Sequence, residues 1–212
     1  MTRSTPDFFY ETEVINNGAG YVAGVDEVGR GPFVGPVLAA AVRLDPDHIP
    51  EGLNDSKVLS SKKRAALSEQ IIAHADVYVA QASVEEIDQL NILHATMLAM
   101  ERAVLGLPQR ADHVFVDGNR VPAGLRGRAT GLVKGDARSV SISAASIVAK
   151  VARDQLMVDL AQQYPGYGWE RNAGYGTLEH RLALRNLGIT PHHRRSFKPI
   201  HNILYQEKIV SD

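Results

Sequence analysis

Four acidic residues stand where the fold could bring them together. Asp26 and Glu27 end an apolar, strand-like run, and a glycine-rich turn, "GRGP", follows them almost at once. Asp117 and Asp136 each end another apolar run, in "DHVFVDG" and "GLVKGD". Ligands of α/β proteins gather outside the C-terminal ends of strands, so neighbouring strands would bring these carboxylates to one place.

A cluster of carboxylates is unfavourable by itself, because like charges repel and raise one another's pKa values. Divalent cations relieve that repulsion, and ligation by oxygen atoms alone suits Mg²⁺ or Mn²⁺. Two such ions about 4 Å apart can stabilise both the attacking and the leaving oxygen of a phosphodiester displacement. The pattern therefore predicts metal-dependent phosphodiester hydrolysis. Taken singly, each acid is more simply a turn or strand-end residue.

The adjacent pair Asp26 and Glu27 poses a geometric problem, because neighbouring side chains of a strand point to opposite faces. Either the strand ends or bulges there, or Glu27 acts through its backbone carbonyl or a bridging water. We predict that Asp26 is the bridging ligand and that Glu27 takes a less direct part.

The elements that must position these acids follow an α/β pattern. Residues 21–28 and 36–44 are apolar runs joined by a short Gly/Pro turn, which predicts an antiparallel pair. Further strands are predicted at 75–84, 112–118 and 131–136. Helices are predicted from Ser60 or Ser61 to about Ala73, over 91–107 after a segment capped by Ser83, over 143–165, and through "TLEHRLALRNLG", which Gly188 can end.

This mixed order of strands and helices predicts a mixed sheet with helices on its faces. The chain contains no cysteine, no apolar signal segment at its start and no apolar run long enough to span a bilayer. A cytoplasmic protein without a membrane partner is expected.

The two halves of the chain differ in charge. Residues 1–100 hold 7 Lys/Arg and 14 Asp/Glu, whereas residues 101–212 hold 16 and 10. That asymmetry permits a polyanion-binding face, although an unevenly charged solvated surface is the simpler interpretation.

Several motifs resemble one known family. In chain order they are "GVDEVGRGPFVGPV", "NDSKVLSSKKR", "VDGNR", "KGD", "SAASIVAKVARD", "GYGT" and "HRRSFKP". They resemble bacterial ribonuclease HII over nearly the whole chain. The resemblance implies an α/β fold, an RNase H-like mixed sheet flanked by helices. It implies one catalytic domain over 1–212, with a helical C-terminal part from about residue 166.

The implied activity is endonucleolytic. Family members hydrolyse the RNA strand of RNA/DNA hybrids and incise duplex DNA on the 5′ side of embedded ribonucleotides, leaving a 3′-hydroxyl and a 5′-phosphate. By the resemblance, Mn²⁺ or Mg²⁺ is the cofactor, and the ligands are Asp26, Glu27, Asp117 and Asp136. The related ribonuclease HIII is disfavoured, because it carries an extra N-terminal domain and only about 20 residues precede the first predicted strand here.

The resemblance also assigns substrate contacts. Gly29, Arg30 and Gly31 would read the ribose 2′-hydroxyl, since glycines let the backbone approach a sugar closely. Lys57, in "NDSK", would contact a phosphate. Tyr175, in "AGYGT", would stack on the sugar that follows the ribonucleotide, the alternative being a buried core tyrosine.

The sequence gives weaker support for phosphate contacts by three residues of the predicted long helix. Ser143 and Ser146 open the predicted long helix, where free N–H groups can hold a phosphate, although Ser143 could be only an N-cap. Lys150 could face a phosphate or pair with Asp154 at i,i+4 spacing. Because that ion pair is the simpler interpretation, Asp154 is left out of the metal site.

Two histidines and the sole tryptophan are assigned no catalytic role. His192 and His193 could suggest zinc, but too few further soft ligands are near, so they are interpreted as backbone-contacting or structural. Trp169 is interpreted as a packing residue.

Two other classes of function stay open at this point. A metal-dependent exonuclease or phosphatase could use similar acids on a related fold. A non-catalytic hybrid-binding module is the other, and the presence of all four acids disfavours it. A monomer is expected, and the sequence does not say which protein partners, if any, the chain binds.

Overall fold

The structure, a computed structural model, describes residues 5–205, so the first four and last seven residues of the predicted domain lie outside the described residues. The chain divides into two compact units. The first contains residues up to 28, 38–81 and 97–152, and the second contains residues 29–37, 82–96 and those from 153 on.

A five-stranded sheet has the order β3-β2-β1-β4-β5. Its strands are β1 (Val22–Val28), β2 (Val37–Arg43), β3 (Asp76–Ala82), β4 (His113–Asp117) and β5 (Ala129–Leu132). β1 pairs antiparallel with β2 and parallel with β4, and β4 pairs parallel with β5. The predicted mixed sheet and its antiparallel pair are confirmed. Because β1 and β2 lie inside the sheet, β2 is almost continuously apolar and buried, and β1 is so as far as Val25, just before its two acids.

Seven α-helices accompany the sheet in the described residues: α1 (Phe9–Asn16), α2 (Ser61–His74), α3 (Val84–Leu105), α4 (Val140–Gln163), α5 (Trp169–Asn172), α6 (Leu178–Leu187) and α7 (Lys198–Tyr205). The helices α2, α3, α4 and α6 were predicted, whereas α1, α5 and α7 were not. None of the described helices combines the length and the apolar character needed to cross a membrane.

Local capping explains why the predicted helices start and stop where they do. Ser60 Oγ accepts a hydrogen bond from the amide of Lys63 at the start of α2. Ser83 and Glu86 exchange side-chain and backbone hydrogen bonds at the start of α3, which is a capping box. Gly188 follows α6 with φ 78°, a conformation that favours glycine and ends the helix.

Helix α4 packs directly against β1. A Cβ atom on Gly24 would lie 2.3 Å from the carbonyl carbon of Ser141, so only glycine allows this approach. Small residues on α4, among them Ala144 and Ala145, are buried with Ala40 of β2 in one core cluster. The close approach brings the start of α4 beside the strand that carries Asp26 and Glu27.

The unpredicted helix α1 fixes the start of α4. Glu11 of α1 is fully buried, and its carboxylate accepts hydrogen bonds from Ser139 Oγ and, at 3.0 Å, from the amide of Ser141. Ser139 Oγ in turn accepts from the amide of Ile142 at 3.2 Å. The hydroxyl that caps α4 is therefore that of Ser139. The alternative interpretation of Ser143 as an N-cap is wrong, because α4 begins at Val140, three residues before the predicted start.

Candidate active site

Three carboxylates meet at the end of the two central parallel strands. Asp26 and Glu27 come from β1 and Asp117 is the last residue of β4, and one carboxylate oxygen of each lies within 4.8 Å of the others. In residues 5–205 this is the one group of three or more acidic or histidine side chains spaced to hold a metal ion. The expectation that these three acids converge is met.

The strand neither ends nor bulges at Asp26 and Glu27. The register with β2 runs unbroken from Gly24 to Val28, pairing Asp26 with Ala40 and Glu27 with Ala39. On the other side, pairing of β1 with β4 stops at Val25, level with Val116. Glu27 nevertheless places a carboxylate oxygen within 4.8 Å of those of Asp26 and Asp117, so the approach requires no bulge.

Burial and mutual repulsion disfavour the charged state of this cluster. Burial raises the pKa of Asp26 well above its ordinary value, and the carboxylates of Glu27 and Asp117 raise it further. Hydrogen bonds from Ser146 and from the amide of Glu27, at 2.7 Å, act in the opposite direction. Burial also raises the pKa of Asp117, although its hydrogen bond from the amide of Gly135 opposes the shift.

Asp136 lies beside the three-carboxylate group but outside it. The strand predicted over 131–136 is too long: β5 ends at Leu132, and Asp136 sits in a 3₁₀ turn, Gly135–Ala137. The turn is anchored by the Gly135 amide, which donates to Asp117 Oδ1 at 2.7 Å. Burial, followed by the charges of Asp117 and Asp55, raises the pKa of Asp136, whereas Lys57 lowers it.

A groove of about 610 Å³ opens beside Asp117 and Asp136. Three cationic side chains line the same groove, namely Lys57, Lys134 and Arg138. Cations next to a carboxylate cluster suit a phosphate backbone whose scissile phosphate lies at the acids. Of the three, the sequence singled out only Lys57.

The serines of α4 behave differently from one another. Ser146 is buried and forms a 2.9 Å hydrogen bond with Ser56 of the "NDSK" loop, and it also contacts Asp26. Ser143 is fully buried, and its amide already donates to the carbonyl of Ser139. The geometry therefore supports a positioning role for Ser146 at Asp26 and gives no support for Ser143 as a phosphate contact. Lys150 is half-buried on the same helix.

The Gly29–Gly31 loop belongs to the second compact unit. Gly29 has φ 93°, and a Cβ atom there would lie 2.1 Å from Arg153 Nε, so the position requires glycine on both grounds. The fully buried Arg194 donates hydrogen bonds to main-chain carbonyls of this loop, including those of Gly29 and Arg30. Burial, then the neighbouring Arg153, lowers the pKa of Arg194 to about 9, which leaves it charged at neutral pH.

Tyr175 lies against the same loop. A Cβ atom on Gly31 would be 3.2 Å from Tyr175 Cε1, so the tyrosine ring packs directly over this glycine. The side chain is nonetheless 52% exposed. The alternative of a core tyrosine is therefore wrong, and the ring presents a free face to solvent.

A buried network behind Tyr175 holds two histidines in defined tautomers. Trp169 Nε1 donates to His180 Nε2 at 3.2 Å, so that nitrogen carries no proton. His193 Nε2 lies 3.1 Å from it and must be the donor, which leaves His193 Nδ1 to accept from the amide of Thr190. His180 Nδ1 then donates to the carbonyl of Tyr175 at 3.0 Å. The interpretations of His193 as structural and of Trp169 as packing agree with their burial.

The network predicts acid sensitivity. Burial, with His180 as a further cause, lowers the pKa of His193 to about 3, against an unfolded value of about 6.5. Between these values the unfolded chain binds more protons, so stability falls as pH falls. Between pH 7 and pH 5 we expect His193 to account for a loss of about 2 kcal/mol in the free energy of unfolding.

Urea unfolding at pH 7 and pH 5 measures this effect. His193→Asn should lower stability at pH 7 and show a weaker pH dependence than the unmodified protein. The exposed His201 provides the control, since His201→Asn should keep the original dependence. An unchanged pH dependence in His193→Asn would contradict the prediction.

Sequence reasoning missed several residues that shape these sites. Glu11 and Ser139 lie in or beside segments without a recognisable pattern. Arg194 and Asp55 fall inside the quoted motifs "HRRSFKP" and "NDSK", so the motifs were the available signal, but their local spacing indicates no partner.

Comparisons with known proteins all give the same result. The family described as Ribonuclease HII matches residues 23–200. Proteins named Ribonuclease HII from Cereibacter sphaeroides and Ruegeria pomeroyi are 62% identical over 211 residues and 64% identical over 202 residues. The alignments cover 100% of both chains in the first case, and 95% of this chain and 86% of the relative in the second. The crystal structure of ribonuclease H2 from Pyrococcus horikoshii OT3 is 28% identical with a TM-score of 0.74, covering 91% of this chain and 100% of that one.

Proposed function

Because the chain belongs to the ribonuclease HII family and is a ribonuclease H that acts as an endonuclease on RNA/DNA hybrids, we propose that it also incises duplex DNA on the 5′ side of embedded ribonucleotides. The proposed reaction is hydrolysis with two divalent metal ions, and its products are a 3′-hydroxyl and a 5′-phosphate. The observation that carries the proposal is the group of three carboxylates at the ends of β1 and β4.

The residues present fit a divalent metal site. The donor set consists of carboxylate oxygens alone, which suits Mg²⁺ or Mn²⁺. Burial and mutual repulsion raise the pKa values of Asp26 and Asp117, so these side chains gain from a nearby cation. Divalent metal dependence is a property of the RNase H family; we propose Mn²⁺ or Mg²⁺ as the ion, held by Asp26, Glu27 and Asp117 together with Asp136 from its turn.

When bound, the ions supply the positive charge that favours attack by water and stabilises the departing 3′-oxygen. The protein supplies the positioning. Gly135 and Ser146 fix the carboxylates of Asp117 and Asp26 through hydrogen bonds, and Lys57, Lys134 and Arg138 provide cations for the flanking phosphates. No covalent intermediate with the protein is needed.

The proposed selectivity for RNA rests on the second unit. The Gly29–Gly31 loop, which starts two residues after Glu27 in the chain, would read the ribose 2′-hydroxyl with its main chain. Tyr175 would pack on the following deoxyribose, because its exposed face can stack on a sugar that lacks a 2′-hydroxyl. A single catalytic domain, a monomeric state and a cytoplasmic location also belong to the proposal.

A closed circular duplex with one embedded ribonucleotide tests the proposal. We expect a nick on the 5′ side of the ribonucleotide in Mg²⁺ or Mn²⁺ and none in EDTA. A polymerase should extend the new 3′-hydroxyl without prior treatment. The matched circle without the ribonucleotide should stay closed.

Two results would reject the proposed activity. An intact circle in both metals, with normal cleavage of a continuous hybrid, would restrict the enzyme to hybrids. Cleavage that requires a free end would instead place the protein among the exonucleases.

A further inference from the structure

Arg194 makes an unusual set of hydrogen bonds. Its guanidinium is fully buried and donates to four main-chain carbonyls: those of Gly29 at 2.6 Å, Arg30 at 3.0 Å, Gly35 at 2.8 Å and Pro36 at 3.2 Å. All four acceptors belong to the one loop that carries the Gly29-Arg30-Gly31 sequence. The Phe197 ring lies against the same guanidinium, with 5.0 Å between Cζ and the ring centroid.

Burying a cation with carbonyl partners alone is costly compared with leaving it in water. Two further hydrogen bonds hold the middle of the loop. The amide of Arg194 donates to Phe33 O at 2.8 Å, and Arg153 Nη2 donates to Val34 O at 3.1 Å. The guanidinium of Arg194 therefore holds both ends of the loop, Gly35 and Pro36 at one end and Gly29 and Arg30 at the other. At the second end it bonds the carbonyls of two consecutive peptide groups, 29–30 and 30–31.

Arg194 sets the orientation of the peptide groups 29–30 and 30–31. In a trans peptide the C=O of one residue and the N–H of the next point to opposite sides. Because the carbonyls of Gly29 and Arg30 point toward Arg194, the N–H groups of Arg30 and Gly31 point away from it. Two consecutive N–H donors facing one side form a receptor for an oxygen atom.

We infer that Arg194 is a positioning residue for RNA recognition: it orients the peptide groups 29–30 and 30–31 so that their N–H groups receive the ribose 2′-oxygen. The inference rests on the proposed ribose reading by this loop. Lysine cannot replace the arginine, because its single ammonium lacks the planar fork that reaches several carbonyls in fixed directions.

The experiment compares two affinities in a protein that cannot cut. In an Asp136→Asn background, fluorescence anisotropy gives Kd for a duplex with one ribonucleotide and for the same duplex in DNA alone, at one salt concentration. The ratio of the two Kd values reports ribose reading. We expect Arg194→Lys to lower this ratio about tenfold and to leave the Kd for the DNA duplex within about twofold.

A control separates positioning from general destabilisation. Ile87 is fully buried in the same compact unit and is not part of the core cluster that contains Val34 of the loop, so Ile87→Ala should lower Tm and keep the ratio. If Arg194→Lys does not fold, Phe197→Leu provides the second variant. It removes the aromatic ring that packs against the guanidinium of Arg194 and leaves the hydrogen-bond donors of the guanidinium in place. We expect Phe197→Leu to lower the ratio about threefold.

The outcomes are distinct. A folded Arg194→Lys that keeps the full ratio would overturn the inference, as would an unchanged ratio in Phe197→Leu when Arg194→Lys is unfolded. Equal affinity of the Asp136→Asn parent for both duplexes would instead reject the proposed ribose reading itself, and the role of Arg194 with it.

Discussion

Asp117→Asn and Asp136→Asn should each lower kcat for cleavage of an RNA/DNA hybrid at least about 10³-fold, while the metal-free protein stays folded. Both carboxyls have raised pKa values, chiefly through burial, with charge repulsion as a further cause. A neutral amide removes that repulsion and retains an oxygen that can accept the Gly135 hydrogen bond at position 117. We therefore expect the Tm of each metal-free variant to equal or exceed that of the unmodified protein.

Thermal unfolding with and without Mg²⁺ or Mn²⁺ adds a second measurement. Metal should raise the Tm of the unmodified protein, because a ligand that binds only the folded state stabilises it. Asp117 belongs to the three-carboxylate group and Asp136 lies outside it. The metal-induced rise in Tm should therefore be lost in Asp117→Asn and only reduced in Asp136→Asn.

Asp154→Asn is the control for these acids, since the sequence places Asp154 outside the metal site. It should retain substantial activity and a normal rise in Tm with metal. Complete loss of activity in a folded Asp154→Asn would show that the set of catalytic acids is incomplete.

Tyr175→Ala should lose activity selectively on DNA with a single embedded ribonucleotide. The ring packs over Gly31 and remains half exposed, so it can stack on a sugar while contributing little to the core. Stacking of a base on an aromatic side chain contributes about 1–3 kcal/mol, and we expect packing on a deoxyribose to lie toward the lower end of that range. We expect kcat/KM to fall about tenfold more on the single-ribonucleotide substrate than on a continuous RNA/DNA hybrid, at an unchanged Tm.

Two variants serve as controls for Tyr175. Tyr175→Phe keeps the ring and should keep the selectivity. Tyr78→Ala removes another exposed tyrosine, on β3. It should leave the ratio of kcat/KM on the two substrates unchanged. An equal loss on both substrates together with a lowered Tm in Tyr175→Ala would mean that the tyrosine acts through stability, and the junction-reading assignment would be wrong.

The sequence by itself determined the elements whose signals are local. Apolar runs marked the central strands, and Ser60, Ser83 and Gly188 marked helix ends, because a cap acts within three or four residues of its own position. Motif order was enough to indicate the family. Pattern also placed Asp117 at the end of its strand and Asp26 and Glu27 near the end of theirs, which runs on to Val28, since strand and turn residues differ in polarity.

Only the tertiary structure decided how these residues meet. Glu27 meets Asp117 because β1 and β4, which are far apart in the chain, pair side by side, and the place of Asp136 depends on a turn held by Gly135. The exposure of Tyr175 could not be read from its glycine neighbours. Arg194 contacts a loop 165 positions away in the chain, and such contacts leave no local pattern because their partners are main-chain atoms, which every residue possesses.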